Sequence, residues 1–278
     1  MVPPGKGLLY PDIQKSEDER AEYTLVGPMH AFQRLLIFIL ARISKLAHRS
    51  RILPAPGYPI DPAVMSMEEF DRTVRELEVE LDELWERKRP ALIDDLMTFD
   101  SADEVFRTRW RRGIPTAQRV TSLHRAMIIF LWRVKTDREI MESPYLPHHG
   151  RPGAIWDDGV DEQHPRVAQA VEDILTVTRD IVKTKTERER RFMLFPLVCA
   201  GLECREVNDQ EFILHVLEEM SYVTWGTNFP KAKAFLQEIF KRQGGIRLTP
   251  HGHGKMEGRW RRVDWLGVMF EMGPIVFV

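Results

Sequence analysis

The chain's two cysteines, Cys199 and Cys204, stand five residues apart in the apolar stretch Phe192–Cys204. Such a pair could belong to a metal site. On a helix, five residues leave the two thiols roughly 140° apart around the axis. They cannot chelate one ion from there, and no further cysteine completes a zinc site. They read as buried structural thiols. Five of the nine histidines fall in two loop-like segments: His148, His149 and His164 in one, His251 and His253 in a glycine-rich other. Zinc needs about four convergent ligands and an orienting shell, so these read as surface histidines.

Carboxylates come next. Asp157, Asp158 and Asp161 spell D-D-x-x-D. On the wall of a helical prenyl or terpene synthase that pattern holds magnesium diphosphate. Here it lies among glycines and prolines, and no second magnesium motif is recognisable, because Phe212 stands where a hydroxyl would be needed after Asn208-Asp209. Asp94-Asp95 lacks a third carboxylate at the right step. A solvated acidic loop is the reading, with a helical enzyme acting on a prenyl diphosphate or another small molecule as the alternative. No G-x-S-x-G, P-loop or G-x-G-x-x-G occurs. The basic clusters Arg188–Arg191 and Arg259–Arg262 read as solvated faces or weak nuclear-import signals, with Trp260 as a core anchor. A net charge of -2 gives no basic footprint for neutralising nucleic-acid phosphates. No catalytic, cofactor-binding or metal residue emerges, and no cofactor is implied.

The elements that must carry these residues are helices. With 43% apolar and 29% charged residues over 278 positions, the composition is that of a soluble chain able to bury a sizeable core. Two cysteines imply a reducing compartment, and the N-terminus lacks the pattern of a signal peptide. The apolar run Leu35–Ala41 is far shorter than the roughly 20 residues a bilayer needs. Residues 1–27 read as a loose arm, His30–His48 as a buried helix, and 51–64 as a proline-rich connector. Ser66 to Glu69 forms a capping box, followed by Phe70, Val74, Leu77, Leu81 and Leu84 on one face. That seam reads as packing within the chain. Residues 115–142 give a long helix with Val120, Leu123, Met127, Leu131 and Val134 on one side.

Residues 143–165 read as a long surface loop and Arg166–Lys183 as a helix. In the stretch Phe192–Cys204, a helix starting at Phe195-Pro196 is expected, with Gly201 letting a neighbouring helix come close. Asn208 to Glu211 starts another helix, and a turn at Trp225–Asn228 opens the next, which ends at Gly244-Gly245. Asp264 caps a last short helix that Gly273 stops. The fold class is all-α, a multi-helix bundle of antiparallel helices with long loops. The domain division is an arm at 1–27 and one helical domain at 28–278, with 143–165 as the place for any subdivision.

Three segments in order resemble the fungal-specific transcription factor domain, the regulatory region downstream of the six-cysteine zinc cluster of many fungal regulators. The first is Ala126–Arg133, the counterpart of the family's A-x-x-x-Y-L-x-R with Phe130 at the tyrosine position, followed by the valine-containing helix Val167–Leu175. The second is the block Pro196-Leu197-Val198-Cys199-Ala200-Gly201-Leu202-Glu203-Cys204. The third comprises Asn228–Phe240 and the closing run from Asp264-Trp265 to Gly273. The resemblance spans 25–278 and is best from 120 onward. The family's usual cysteine is Leu202 here, and no zinc cluster is present. The resemblance makes Pro196, Leu197, Ala200, Gly201, Glu203, Asp264, Trp265 and Gly273 a structural family motif. It implies a nuclear regulatory domain that controls activity through protein partners, self-association or a small-molecule effector, without reading DNA itself. A stand-alone interaction subunit is the third reading.

Overall fold

The structure, a computed structural model, describes residues 17–50, 65–97, 113–142, 155–156, 163–183, 191–223, 227–244 and 260–272. It is all-α but for one two-residue strand pair. Helix α1, Glu17–Arg49, opens the chain. Residues 17–27, expected as part of a loose arm, are therefore helical. The helix passes through Pro28, which gives up one backbone hydrogen bond. Met29, Phe32, Leu36, Ile39, Ile43 and Leu46 alternate at steps of three and four and are buried. The other face is not: Leu35, Ile37 and Phe38 are exposed, Phe38 at 69%. The expected buried helix is thus half-buried, because its apolar residues wrap more than one face.

Helix α2, Met67–Lys88, lies alongside α1, with Arg42 paired to Glu80 and Arg49 to Glu69 at 3.8 Å. Ser66 Oγ accepts the Glu69 N–H at 3.2 Å, so half of the expected capping box is present. The Glu69 carboxylate reaches Arg49 instead. The seam Phe70, Val74, Leu77, Leu81 and Leu84 is buried within the chain, where α2 meets α1 and the central helix. The short helix α3, Leu92–Met97, follows. The expected connector 51–64 lies outside the described residues.

Helix α4, Gly113–Glu142, is the axis of the fold. It packs against α1, α2, α3, α5 and α6. Sequence periodicity gave it one apolar side. The structure buries almost every side, including the polar Thr121, Ser122, His124, Arg133, Asp137 and Arg138. A helix surrounded by others needs no solvent face. Helix α5, Pro165–Lys183, buries Val167, Val171, Ile174, Leu175, Thr178 and Ile181, the stripe expected of it.

A 3-10 turn at Arg191–Met193 leads into α6, Leu194–Glu203, which starts one residue before the expected Phe195. Only Phe195 in α6 is not fully buried. Helix α7, Val207–Val223, begins ahead of Asn208, so Asn208 and Asp209 occupy its first turn rather than a cap. Helix α8, Asn228–Arg242, ends as expected, with Gly244 in the left-handed region at φ 100°. Strand β1, Ile155–Trp156, pairs antiparallel with β2, Arg262–Val263, fastening the expected surface loop to the C-terminal segment. Helix α9, Trp265–Met272, closes the described chain, and its Gly267 N–H donates to Asp264 Oδ1 at 3.0 Å, the expected cap. One continuous apolar cluster runs from Met29 to Val268.

Gly201 faces α8. A Cβ there would stand 2.7 Å from Leu236 Cδ1 and 2.9 Å from Cδ2. The close approach is thus made by a side chain filling the glycine's vacancy, not by the neighbouring backbone. Leu236 is fully buried and cannot swing into solvent. Gly201→Ala should therefore destabilise by about 1–3 kcal/mol of overpacking, less the roughly 1 kcal/mol that alanine gains in a helix. Gly201→Leu should cost more than Gly201→Ala. Urea titration of Gly201→Ala with and without Leu236→Val tests the assignment: the second change should restore stability, and additive losses would refute it.

Candidate functional site

The C-terminal end of α6 is the point where the three motif segments meet. A helix end leaves carbonyls without partners, and burying them requires donors. Three glutamine side chains supply these from three directions. Gln243 Nε2 donates to Leu202 O at 3.0 Å, Gln163 Nε2 to Glu203 O at 2.8 Å, and Gln210 Nε2 to Cys204 O at 2.8 Å.

Beside these caps sits a buried ionic cluster. Arg133 from α4 is fully enclosed. One of its terminal nitrogens donates to Glu203 Oε1 at 3.0 Å, and the other to the Val263 carbonyl at 2.8 Å. Arg133 Nε lies 3.9 Å from Asp137 Oδ1, one turn further along α4. Asp264 and Arg262 are buried alongside, and their charges reach Asp137. Arg133 ends the first motif, Glu203 lies in the second, and Asp264 opens the closing run of the third. The sequence motifs are thus the three corners of one ionic junction. Arg262 is a correction: expected on a solvated basic face, it is 5% exposed because β2 turns it inward. Trp260 anchors as expected, with Arg205 lying 4.4 Å over its ring.

The junction holds three carboxylates, Asp137, Glu203 and Asp264, against two guanidiniums, Arg133 and Arg262. Burial alone would push Arg133 down, but Asp137 and Glu203 outweigh it and hold the guanidinium above its ordinary value. Asp137 is pushed up to about 7, first by burial and then by Asp264 and Glu203, against the pull of Arg133 and Arg262. Excess negative charge in a dry site is relieved by retaining a proton. This arrangement is a structural lock with one titrating member.

Of the motif residues, Pro196, Leu197, Ala200 and Gly201 are buried in α6, and Trp265 packs edge-on against Phe130 at 5.7 Å between centroids. Gly273 lies outside the described residues, as do Asp157, Asp158, Asp161, His148, His149, His251, His253 and 188–190. His164 is exposed at the start of α5, its ring 4.5 Å from that of Trp132. Asp94 is exposed and pairs with Arg89 at 2.7 Å. Both cysteines are buried free thiols, as expected. Burial raises both, Cys204 to about 12, so neither forms a reactive thiolate. Among the described residues no group of three or more His, Cys, Asp or Glu is placed to hold a metal. No helix among them is long and apolar enough to cross a membrane.

Several polar residues escaped sequence reasoning. Asp137 stands four residues after Arg133, and a charged i, i+4 pair usually marks a solvent face. Arg138 donates to the Ser50 carbonyl at 2.6 Å and to the Met65 carbonyl at 3.0 Å, tying the end of α1 to the residue just ahead of α2. His124 stacks on Trp85 at 4.0 Å, and burial and then Arg125 and Arg166 push it down to about 2, so it stays neutral. The three capping glutamines carry no periodic signal. A second feature is a cavity of 290 Å³ between α2, α4 and the start of α5, with Trp132 on its wall.

Comparison with curated proteins and with solved structures finds no match. The family comparison does: the model described as "Fungal specific transcription factor domain" matches residues 8–278, the span that contains all three corners of the junction. The chain belongs to the fungal specific transcription factor domain family, and its role is transcriptional regulation.

Proposed function

We propose that the chain is the regulatory, non-base-reading domain of a nuclear fungal regulator, and that protein contact sets its activity. The observation that carries this reading is the outer face of α1. Phe38 at 69%, Ile37 at 48% and Leu35 at 42% are exposed within four residues. Large apolar side chains clustered in water mark an interaction surface. From His30 to Arg49 the helix has no carboxylate, and Arg34 and Lys45 flank Phe38 one and two turns away. Two copies of this face would oppose like charges. The fitting partner is a segment that combines apolar and acidic side chains.

The test joins the chain to a heterologous DNA-binding module ahead of a reporter gene. Phe38→Ser should change output severalfold while leaving the melting temperature within about 2 °C, because surface substitutions rarely move stability by more than roughly 0.5 kcal/mol. Unchanged output from Phe38→Ser combined with Leu35→Ser would sink the partner reading. Sequence-selective DNA binding by the purified chain would overturn the non-base-reading assignment.

A further inference from the structure

The 290 Å³ cavity between α2, α4 and α5 combines three chemistries. Its floor is apolar: Leu81 from α2, Ile128 and Leu131 from α4, and Val167 from α5. Its wall is aromatic, formed by Trp132 with the His164 ring against it. Its rim carries opposite charges on opposing helices, Glu78 on α2 and Lys135 on α4. Arg166, also at the rim, is engaged by Asp82, to which it donates at 3.1 Å and through a second, shorter bond. Lys135 and Glu78 are different. Neither makes an ion pair among the described residues, and Lys135 lies 6.0 Å over the Trp132 ring. The nearby Glu139 carboxyl is held above its ordinary value by burial, with Lys135 opposing.

Opposite charges on the rim of an apolar cavity select by charge pattern. A dicarboxylate would meet Glu78, and a diamine would meet Lys135 and Arg166. The volume lies at the lower edge of ordinary ligand sites, so the occupant is small. We propose that this cavity binds a small zwitterion with an apolar side group, the chemistry of a free apolar or aromatic amino acid. Its ammonium group faces Glu78, its carboxylate faces Lys135, and its side group lies on Leu131 and Ile128 against Trp132. Binding stands independently of the regulatory role; only the ligand's part as an effector rests on that reading.

Calorimetric titration of the purified chain tests the proposal with four probes: phenylalanine, leucine, phenylacetate and phenethylamine. The two amino acids should bind saturably. Phenylacetate and phenethylamine, each lacking one charge, should bind at least about tenfold more weakly. Glu78→Gln should weaken the amino acids and phenethylamine but leave phenylacetate unchanged. Lys135→Met should do the reverse, weakening the amino acids and phenylacetate alone. Equal binding of phenylalanine and phenylacetate would overturn the zwitterion assignment. So would an absence of saturation by either amino acid up to about 10 mM, since a site weaker than this is worth under roughly 3 kcal/mol. That result on the unaltered chain does not depend on how the variants fold. In the reporter assay, bound amino acid with unchanged output refutes the effector role and leaves the ligand class standing. No amino-acid binding, with output still altered by Phe38→Ser, refutes the ligand class and leaves the regulatory reading standing.

Discussion

Arg133→Met should lower the unfolding free energy by about 3–5 kcal/mol, the usual loss when one member of a buried ion pair is removed. Arg133 is fully enclosed, so no water replaces it. Its loss strands the Glu203 carboxylate and the Val263 carbonyl, both of which it serves at 3.0 and 2.8 Å. Methionine fills much of the volume, so the loss reports the unpaired acceptors rather than a cavity. The melting temperature should fall by on the order of 10 °C. Arg133→Lys should recover only part of this, because one ammonium cannot span two acceptors as a guanidinium fork does. Adding Glu203→Gln to Arg133→Met should restore stability by removing the stranded charge. If the two losses simply add, the junction does not couple them.

The second large effect is a pH dependence centred on Asp137. Unfolded, its carboxyl titrates near the ordinary 3.8; folded, it keeps its proton up to about 7. Its favourable contribution is therefore complete below pH 3.8 and is lost as pH rises through 7. Above that the folded chain carries an extra buried charge beside Asp264 and Glu203. The contribution amounts to roughly 4 kcal/mol, of which roughly 2–3 kcal/mol disappears between pH 5 and 8. Asp137→Asn keeps the neutral form at every pH, and Arg133 retains both of its hydrogen bonds. Chemical denaturation at several pH values should show the variant already ahead of the unaltered chain at pH 5 and its lead widening by roughly 2–3 kcal/mol by pH 8. A difference between the two that does not change with pH would mean that Asp137 is ionised throughout and paired with Arg133.

Both effects come from one place, and that place explains why the motif segments are spaced as they are. Arg133, Glu203 and Asp264 lie far apart along the chain, yet one junction takes one residue from each. Three glutamines from three further segments cap the same helix end. The block around Gly201 is thus a hub through which α4, α6, α8 and the C-terminal segment hold together. Its cysteines add bulk and no reactivity. An effector in the cavity would touch α4 at Leu131 and Trp132, next to Arg133.

The sequence by itself determined the helices and most of their inward faces. The stripes of α2 and α5, the Ser66 and Asp264 caps, the Gly244 stop and the family all follow from local periodicity, capping chemistry and motif order. The stripes, caps and stop depend on neighbours within a few residues, so they are written locally, and the family on the order of such local motifs along the chain. The tertiary structure alone decided which polar residues go inside. Arg133, Asp137 and Arg138 have ordinary surface spacing, and only the presence of helices on every side of α4 makes them buried. Arg262 reads as part of a basic cluster until the β1–β2 pair turns it inward. In the same way α1 reads as buried, although nothing in the described structure packs over Phe38. Burial of a charged group depends on partners distant in the chain, and exposure of an apolar one on the absence of a packed neighbour. Neither condition is carried by the residues adjacent in sequence.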